Sequence, residues 1–556
     1  MNAHSLVASS FAPLLFAALG VAQQRTVLQT DGTGSAVAVS GSRMHVGFLH
    51  HDQFWGDQVF AGTSSDHGET WSGLGFDLAA DLGSVGGAFH HDGPIRVRTF
   101  NDRVSMMWGG TYNSQFVGGN TICMRTSTDG GLTWGPIWWY VEIDGARDVL
   151  VTATHSYMSC AIDGTVRVWN TTDDGTTIQG AVVPQIGIDV VDARLAGSGS
   201  SVFCAWHGFR DASQTIDDVY FSRSTDAGQT WSSPSTLSTL PASAGPRDGN
   251  PISIAASGST VCVVWDSSDD VWMNVSTDGG ATWLTSPTRL DPNGVFGEKP
   301  EVCVDGTSNL HVGWRDRRTG SGRIYVSSST DGGVSWSAAQ SIGPAQTSQA
   351  VHLACAGNTA YALWAGTGPL KFNRSTNAGS DWYPTEDRFG TSSGPGAHDV
   401  DASTELVAAT WIESGQVTVA IPAGAIESYG TGTAGSGGFA PTLASTTSSG
   451  MLGTAPSFEI ANALGGATAA MFIGHMPSTR IDFTFAGLRF LVAPTVVVSL
   501  MPLSGVGAGA GTGTYSLPTW SDPVFLGEHF NLQAAILDPA GPPGAALTNG
   551  VTVVIG

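Results

Sequence analysis

Seven pairs of apolar residues recur along the chain, each with one residue between its members and each ahead of a similar turn. A period of two is the pattern of a β-strand that buries one face. Each pair stands shortly before a turn that contains glycine, so the pattern predicts a series of hairpins. The pairs are Val59 and Ala61, Ile122 and Met124, Val166 and Val168, Val219 and Phe221, Val271 and Met273, Ile324 and Val326, and Leu370 and Phe372.

The turn that follows each pair has a sequence of its own, Ser-x-Asp-x-Gly-x-Thr-Trp. The clearest copies are residues 127–134, 224–231, 276–283 and 329–336; an earlier copy runs from Ser64 to Trp71, and divergent copies occupy 171–178 and 375–382. The copies recur every 44 to 63 residues. A motif at such a spacing indicates a repeat protein built from one supersecondary unit.

A second marker is an aromatic residue that ends an apolar strand further upstream in each unit: Phe48, Trp108, Trp206, Trp265, Trp314, Trp364 and Trp411. One wide gap contains a unit that keeps its turn near Asp173 but lacks the aromatic residue. Counting it gives eight four-stranded units, which predicts an all-β, eight-bladed β-propeller. Seven blades is the alternative if residues 148–190 are an insertion. We expect the strand Arg25–Gln29 to complete the last unit and close the ring.

The turns resemble the Asp boxes, or bacterial neuraminidase repeats (BNR), of the sialidase superfamily, and the resemblance spans roughly residues 25–425. It implies that the boxes are structural, lie between third and fourth strands and face away from the active site. Active sialidases use an Arg triad, a Tyr nucleophile assisted by Glu, and an Asp acid/base. Their first Arg lies in an Arg-Ile-Pro sequence. This chain has no Arg-Ile-Pro; the nearest string, residues 94–98, has the reverse order, and neither Tyr112 nor Tyr157 has a clear Glu partner.

Composition narrows the partners and the compartment. The net charge is −23 and there are only two lysines, which argues against nucleic acid and anionic membranes as partners. Residues 1–22 read as a signal peptide, so we expect a secreted or cell-surface protein of bacterial type, and no other stretch predicts membrane insertion. Six cysteines leave disulfides and buried free thiols equally open, and their spacing does not predict a zinc site.

The composition changes after residue 425. We therefore divide the mature chain into a propeller (23–425), a Gly/Ser/Thr linker (426–438) and a small C-terminal β-sandwich-like domain (439–556). We expect this last domain to attach the protein to the cell surface.

Charged residues are scarce, and a group of them falls in predicted loops that enter first strands or leave second strands. This places them at one mouth of the channel. Four carboxylates there are candidates for acid and base in glycoside cleavage, and neighbouring Arg, His and Trp side chains are candidates for substrate binding. The catalytic candidates are Asp148, Asp248, Glu298 and Asp316; the substrate-binding candidates are Arg247, Arg315, Arg317, Arg210, His91 and Trp55. We assign no cofactor and no metal ion.

Two functions fit this sequence. The first is a secreted, sialidase-like propeller that recognises carbohydrate or a glycoconjugate at the channel mouth, either as a binding protein or as a glycoside hydrolase. The second is a non-catalytic surface or adhesive protein that uses the propeller for protein contacts.

Overall fold

The computed structural model describes residues 25–554 apart from 30–31, 53–55, 67, 69, 75, 81–87, 91–94, 114–117, 142–144, 187, 210–216, 239–251, 268, 292–296, 306, 318–321, 344–349, 367–369, 376, 383–386, 390–397, 404–405, 421–425, 447–454, 476–479, 493–495, 518–528 and 543. The described residues fall into two compact units, which divide between Glu427 and Ser428. Their regular structure is β-strand throughout, except for one 3-10 turn at Ser436–Gly438. The predicted signal peptide lies outside the described residues.

The N-terminal unit contains 32 strands among its described residues. They are β1 (Arg25–Gln29), β2 (Gly32–Ser40), β3 (Arg43–Asp52), β4 (Gly56–Ser64), β5 (Ala88–His90), β6 (Ile95–Phe100), β7 (Arg103–Asn113), β8 (Gly118–Ser127), β9 (Trp138–Val141), β10 (Gly145–Val151), β11 (Ser156–Ile162), β12 (Thr165–Thr171), β13 (Gln179–Val182), β14 (Ile188–Ser198), β15 (Ser201–Phe209), β16 (Asp217–Ser224), β17 (Ser235–Thr236), β18 (Ser253–Ser257), β19 (Thr260–Ser267), β20 (Asp270–Ser276), β21 (Thr288–Arg289), β22 (Gly297–Val304), β23 (Leu310–Asp316), β24 (Arg323–Ser329), β25 (Gln340–Ser341), β26 (Val351–Ala356), β27 (Thr359–Trp364), β28 (Leu370–Ser375), β29 (Asp387–Phe389), β30 (His398–Ala402), β31 (Val407–Glu413) and β32 (Gln416–Ala420).

These strands form eight successive antiparallel sheets within the described part of the unit. Sheet 1 is β2–β4, sheet 2 is β5–β9, sheet 3 is β10–β13, sheet 4 is β14–β17, sheet 5 is β18–β21, sheet 6 is β22–β25, sheet 7 is β26–β29, and sheet 8 is β30–β32 with β1. The first strands of successive sheets contact one another in order, and β30 of sheet 8 contacts β2 of sheet 1, so the series closes on itself. Strand β1 pairs antiparallel with β32, as the sequence predicted.

The aromatic markers lie in the apolar layers between neighbouring sheets. Trp314 of sheet 6, for example, is fully buried in one cluster with Val264, Val271 and Met273 of sheet 5. In sheet 3 the equivalent position is occupied by Cys160. Ser156 pairs with Thr171, the first residue of the turn motif, and Cys160 follows Ser156 by four residues, as the marker does in the other sheets. Burial of one large aromatic ring per interface is worth about 2–3 kcal/mol, so these residues hold the sheets together.

The turn motif is a hydrogen-bonded loop between third and fourth strands. In the copy of sheet 4 the Ser224 hydroxyl donates to Asp226 Oδ1 (2.7 Å), and the Thr230 hydroxyl donates to Asp226 Oδ2 (2.5 Å). The Thr230 amide also donates to this carboxylate, at 2.9 Å. The hydroxyl of Thr230, then its amide and the Ser224 hydroxyl lower the pKa of Asp226 to about 2. The carboxylate is therefore the acceptor that fixes the turn.

The glycine of the motif also allows close approach to the preceding sheet. Gly280 has φ +76°, and a Cβ atom there would lie 2.5 Å from the ring of Phe221 in sheet 4. Any side chain would meet both a strained backbone and a steric clash.

A second set of contacts joins the inner strands. By inner strand we mean the first strand of each sheet, except in sheet 2, where it is β6, the strand that contacts β2 and β10. The accepting side chain lies on the inner strand, at the position that pairs with the residue directly before the marker position on the second strand. It accepts a hydrogen bond from a backbone amide in the inner strand of the next sheet. We call these contacts inter-sheet clips. They join Asp148 Oδ2 to the Leu195 amide (2.9 Å), Ser253 Oγ to the Val302 amide (3.2 Å), Glu301 Oε1 to the Leu353 amide (3.0 Å) and Asp399 Oδ2 to the Val37 amide (3.2 Å). The last clip connects sheet 8 to sheet 1.

The C-terminal unit has its own sheets. Its strands are β33 (Ile426–Tyr429), β34 (Thr442–Ser445), β35 (Ser457–Gly465), β36 (Thr468–His475), β37 (Arg480–Phe485), β38 (Leu488–Val492), β39 (Val496–Pro502), β40 (Gly507–Ser516), β41 (His529–Leu537), β42 (Ala545–Leu547) and β43 (Gly550–Val554). They form a six-stranded, a three-stranded and a two-stranded sheet.

Residues 426–438, expected to be a linker, contribute to this unit instead. Strand β33 pairs with β43. The Ser436 amide donates to Asp538 Oδ2 at 2.7 Å, and the Thr433 amide donates to the Leu547 carbonyl at 2.8 Å. Its Gly and Ser content indicates a flexible chain, but backbone pairing to the sheet overrides that local preference.

The six cysteines are all free thiols, four of them buried. This decides between the two alternatives that the sequence leaves open. No helix within the described ranges is long and apolar enough to cross a bilayer.

The divergent turn of sheet 7 provides a test of the turn's polarity. There Asn377 replaces the motif Asp and Asp381 replaces the motif Thr. The side-chain amide of Asn377 donates from Nδ2 to Asp381 Oδ2 at 3.1 Å. Asn377→Asp should place two carboxylates in contact and lower the free energy of unfolding by about 1 kcal/mol. Adding Asp381→Thr rebuilds the ordinary turn and should restore stability in chemical denaturation. If the double variant were as unstable as Asn377→Asp alone, this account of the turn would fail.

Candidate functional site

The edge of sheet 6 opposite its turn motif carries four of the predicted site residues: Glu298, Arg315, Asp316 and Arg317. Strand β22 begins where β23 ends, so that Gly297 faces Asp316 and Glu298 faces Arg315 in the register of the sheet. Arg317 follows directly on β23. The antiparallel pairing therefore brings together residues that are 17 to 19 positions apart in the chain.

Glu298 is held by both arginines. Arg317 donates from Nε to Oε1 (3.0 Å) and from Nη2 to Oε2 (2.7 Å), and Arg315 Nη1 lies 3.0 Å from Oε1. The side chains of Glu298 and Arg315 are 15% and 20% exposed, whereas that of Arg317 is 44% exposed. The hydrogen bonds to Glu298 raise the pKa of Arg317 further. The cluster thus presents one accessible guanidinium fixed by a bidentate ion pair.

A local distortion of β22 orients this cluster. The register shifts between Glu298 and Glu301, and Lys299 has φ +54°. The Lys299 amide donates to Asp266 Oδ2 at 2.9 Å, and the Gly297 amide donates to the Asp269 carbonyl at 2.7 Å. Such a bulge redirects side chains at the end of a strand. Sheet 5 therefore anchors the site residues of sheet 6.

Asp266 is the main residue that sequence reasoning missed. It is 3% exposed, and its Oδ1 has no hydrogen-bond partner among the residues that the structure describes. Burial raises its pKa to about 6, opposed by the Lys299 amide and by His207. A carboxylate with a raised pKa near other charged groups is a feature of functional sites. Its one sequence signal was its place directly after the marker Trp265, where other units carry Arg315, His207 or Gly109.

Two other catalytic candidates, Asp148 and Asp316, are buried and make contacts within the fold. Asp148 was expected in a loop but lies within β10, is 6% exposed, forms the clip to Leu195 and contacts Arg96 at 3.7 Å. Asp316 is completely buried, with the Trp314 indole nitrogen 3.4 Å from Oδ2. Asp148 belongs to sheet 3, whereas Glu298 and Asp316 belong to sheet 6, so the structure groups only the latter two. Direct contact with a ligand requires accessible atoms, which Asp316 lacks.

The remaining predicted residues are Asp248, Arg247, Arg210, His91 and Trp55. They lie outside the described residues.

The string at residues 94–98 places two arginines on the inner strand β6. Burial opposes the charge of Arg98, but Asp399, Asp148 and Asp401 outweigh it and raise the pKa of the guanidinium. Arg96 contacts Asp148. A third inner-strand arginine, Arg194, pairs with Asp192 at 3.1 Å. The inner strands thus hold three arginines that carboxylates neutralise.

Tyr157, one of the two tyrosines considered as a nucleophile, is 1% exposed, and burial raises its pKa to about 12. It packs in the apolar layer between sheets 3 and 4. Within the described part of the chain, no group of three or more His, Cys, Asp or Glu residues is arranged to hold a metal ion.

Residues 203–386 match the family described as BNR repeat-like domain. This match confirms the resemblance to the sialidase, or BNR-repeat, superfamily that the turn motifs indicate. Among curated proteins, none matches the sequence closely enough to count as a relative.

Several solved structures are distantly similar. The NanB sialidase from Streptococcus pneumoniae is 10% identical over 52% of this chain and 66% of its own, with a TM-score of 0.33. A fucose-specific lectin from Aleuria aurantia is 11% identical over 66% of this chain and 97% of its own (TM-score 0.35). The polysaccharide lyase Uly1 is 10% identical over 58% and 88% (TM-score 0.38). This chain therefore spans slightly less than two thirds of the sialidase, and likenesses this distant carry no argument about activity.

Asp266 gives the site a predicted pH dependence. An unfolded Asp titrates near pH 3.9, below the folded value of about 6, so the stability contributed by the neutral carboxyl is complete below pH 4 and is lost as the pH rises through 6. Asp266→Asn stays neutral and should gain about 2–3 kcal/mol relative to the natural protein between pH 4 and 7.

Urea unfolding at several pH values measures this gain. Asp163→Asn, in an exposed turn, is the matched control and should run parallel to the natural protein. Parallel curves for Asp266→Asn as well would show that this carboxyl is not buried in its neutral form.

Proposed function

We propose that this chain, whose residues 203–386 carry a BNR repeat-like domain, is a secreted glycan-binding β-propeller with its binding site at the Glu298 edge of sheet 6. The observation that carries the proposal is the ion pair that holds Arg317 in a fixed, accessible position at the edge opposite the turn motifs. The eight sheets are its blades, and β1 closes the ring.

The state of the carboxylates favours binding over hydrolysis. General acid–base cleavage needs two carboxyl groups that reach the scissile bond from either side. Among the described candidates, Asp148 forms an inter-sheet clip, Glu298 is neutralised by two arginines and Asp316 is completely buried. A binding site has no such requirement, because fixed donors and acceptors are sufficient to recognise hydroxyl groups.

The charges define the ligand class. Glu298 accepts from both arginines, and Asp269 adds a second negative charge near Arg317. The two guanidinium charges are thereby balanced, but Arg317 has donors left for hydroxyl oxygens. The net charge of −23 also repels acidic polymers. The expected ligand is therefore a neutral glycan. The C-terminal unit would hold the propeller at the cell surface.

The direct test is binding to a glycan array, followed by calorimetry on the best ligand with the full chain. Arg317→Ala should weaken binding at least about tenfold, or about 1.4 kcal/mol. Arg43→Ala is the matched control: Arg43 is 43% exposed and ion-paired with Asp102, but it lies at the turn-motif edge. It should bind like the natural protein.

Two outcomes would contradict the proposal. The first is equal binding by Arg317→Ala and the natural protein; the second is no binding to any glycan. Fluorogenic glycosides provide the complementary assay, in which no turnover is expected. Turnover that Glu298→Gln abolishes would instead identify a glycoside hydrolase.

A further inference from the structure

Three partly exposed aromatic side chains meet where the outer strands of sheets 2 and 3 adjoin. Trp138 and Tyr140 share one face of β9, the outermost strand of sheet 2, and Trp169 lies on β12 of sheet 3. We call these three residues the rim platform. They lie on different sheets from the Glu298 site and form no part of it.

The rings of the rim platform lie close together and are tilted against one another. The centroids of Trp138 and Trp169 are 4.9 Å apart with an interplanar angle of 49°, and those of Tyr140 and Trp169 are 5.7 Å apart at 34°. Trp138 and Tyr140 are 6.5 Å apart at 25°. Tyr140 is 37% exposed. Trp138 and Trp169 are half-buried beside it.

The corresponding positions in other sheets carry small or polar residues. The position of Trp169, two residues before the turn motif, is occupied by Ser222 in sheet 4, Asn274 in sheet 5 and Ser327 in sheet 6. Each of these side chains donates to a backbone carbonyl ten residues further along, at 2.8 to 3.3 Å. The fold therefore accommodates a polar contact here, and the tryptophan of sheet 3 is a departure from it.

The positions equivalent to Trp138 in sheets 4, 5 and 6 are also polar. The strand partner of Trp138 is Met124, and the residues at the equivalent position of sheets 4, 5 and 6 are Ser235, Thr288 and Gln340. Sheets 2 and 3 thus each carry a tryptophan where sheets 4, 5 and 6 have a polar residue, and the two indoles contact each other.

Packing buries only part of these two rings. Trp138 and Trp169 contact the buried cluster that contains Cys160, the residue that replaces the aromatic marker in sheet 3. Their outer surface continues onto the edge strand β13. A Cβ atom on Gly180 would lie 2.7 Å from Trp169, so the indole lies directly against bare backbone, and Val182 beside it is 53% exposed. An apolar aliphatic residue would fill the inner space without leaving exposed aromatic area.

We propose that the rim platform is a second carbohydrate site, which binds a neutral polysaccharide of β-linked pyranose units by stacking. The faces of aromatic rings are electron-rich, and the axial C–H groups of such sugars carry partial positive charge. Equatorial hydroxyls leave those C–H faces apolar, so one face of a sugar unit can stack on an exposed ring of the platform. Arg167, two residues from Trp169 on the same face of β12, can donate to ring hydroxyls.

The size of the patch argues against a protein partner. Even fully exposed, three aromatic side chains would offer about 450–750 Å², whereas a stable protein interface needs about 800 Å² on each partner. A single sugar unit needs no more than the platform provides.

Native affinity electrophoresis of the full chain in gels that contain hydroxyethyl cellulose tests this site. The natural protein should be retarded relative to a gel without polymer. Trp138→Ser and Trp169→Ser each install the residue that equivalent positions carry, so both should fold, and each should raise the apparent Kd at least about tenfold. Trp169→Tyr should retain part of the retardation.

Controls separate this site from the others. Trp283→Ala removes a tryptophan of similar partial burial that packs edge-on against Phe221 at 4.6 Å, and it should leave retardation unchanged. Arg317→Ala should also be retarded normally, because the platform does not depend on the Glu298 site.

Three results would overturn the proposal: no retardation of the natural protein, unchanged retardation of both serine variants, or retardation that only Arg317→Ala abolishes. The last of these would support the Glu298 site alone.

Discussion

The hydrogen bond between an inner-strand side chain and an inner-strand amide of the next sheet is the constraint on which this structure depends. The first strand of each sheet pairs on one side only, so its other edge has amides that need acceptors. Asp148, Ser253, Glu301 and Asp399 supply them at one register. Because the clip from Asp399 reaches Val37, the same interaction that spaces neighbouring sheets also joins the last sheet to the first. Apolar layers around the aromatic markers add the bulk of the stability, but they are not directional.

This use of polar side chains determines where chemistry is possible. The carboxylates of the inner strands accept backbone hydrogen bonds or pair with inner-strand arginines, so both kinds of side chain are committed to the fold. The turn motifs are committed as well, since Asp226 and its equivalents are saturated by local donors. Polar groups with unused capacity are left at the opposite edge, around Glu298 and Arg317, and aromatic surface is left at the outer rim of sheets 2 and 3.

Much of the fold could be predicted from the sequence because its signals are local. The turn motif carries its own hydrogen-bond partners within seven residues, and the marker tryptophans report burial directly. Grouping of Glu298 with Arg315 and Arg317 followed from strand order. Asp148 was misplaced because β10 already begins at Gly145, so that Asp148 pairs with Ser159 inside the strand and does not lie in the predicted loop. Asp266 was missed because its raised pKa comes from burial between sheets, and residues 426–438 were misjudged because strand pairing decided their structure.

Hydrogen exchange resolved to single amides tests the inter-sheet clips most directly. The backbone amides of Val37 and Val39 in β2 point away from β3. They donate instead to the carboxylates of Asp399 and Asp401 in sheet 8, at 3.2 and 2.8 Å. At neutral pH both amides should be protected as strongly as the amides of β2 that bond to β3, and replacing both aspartates by alanine should remove that protection selectively. Exchange of Val37 and Val39 at the rate of exposed amides in the natural protein would contradict the account.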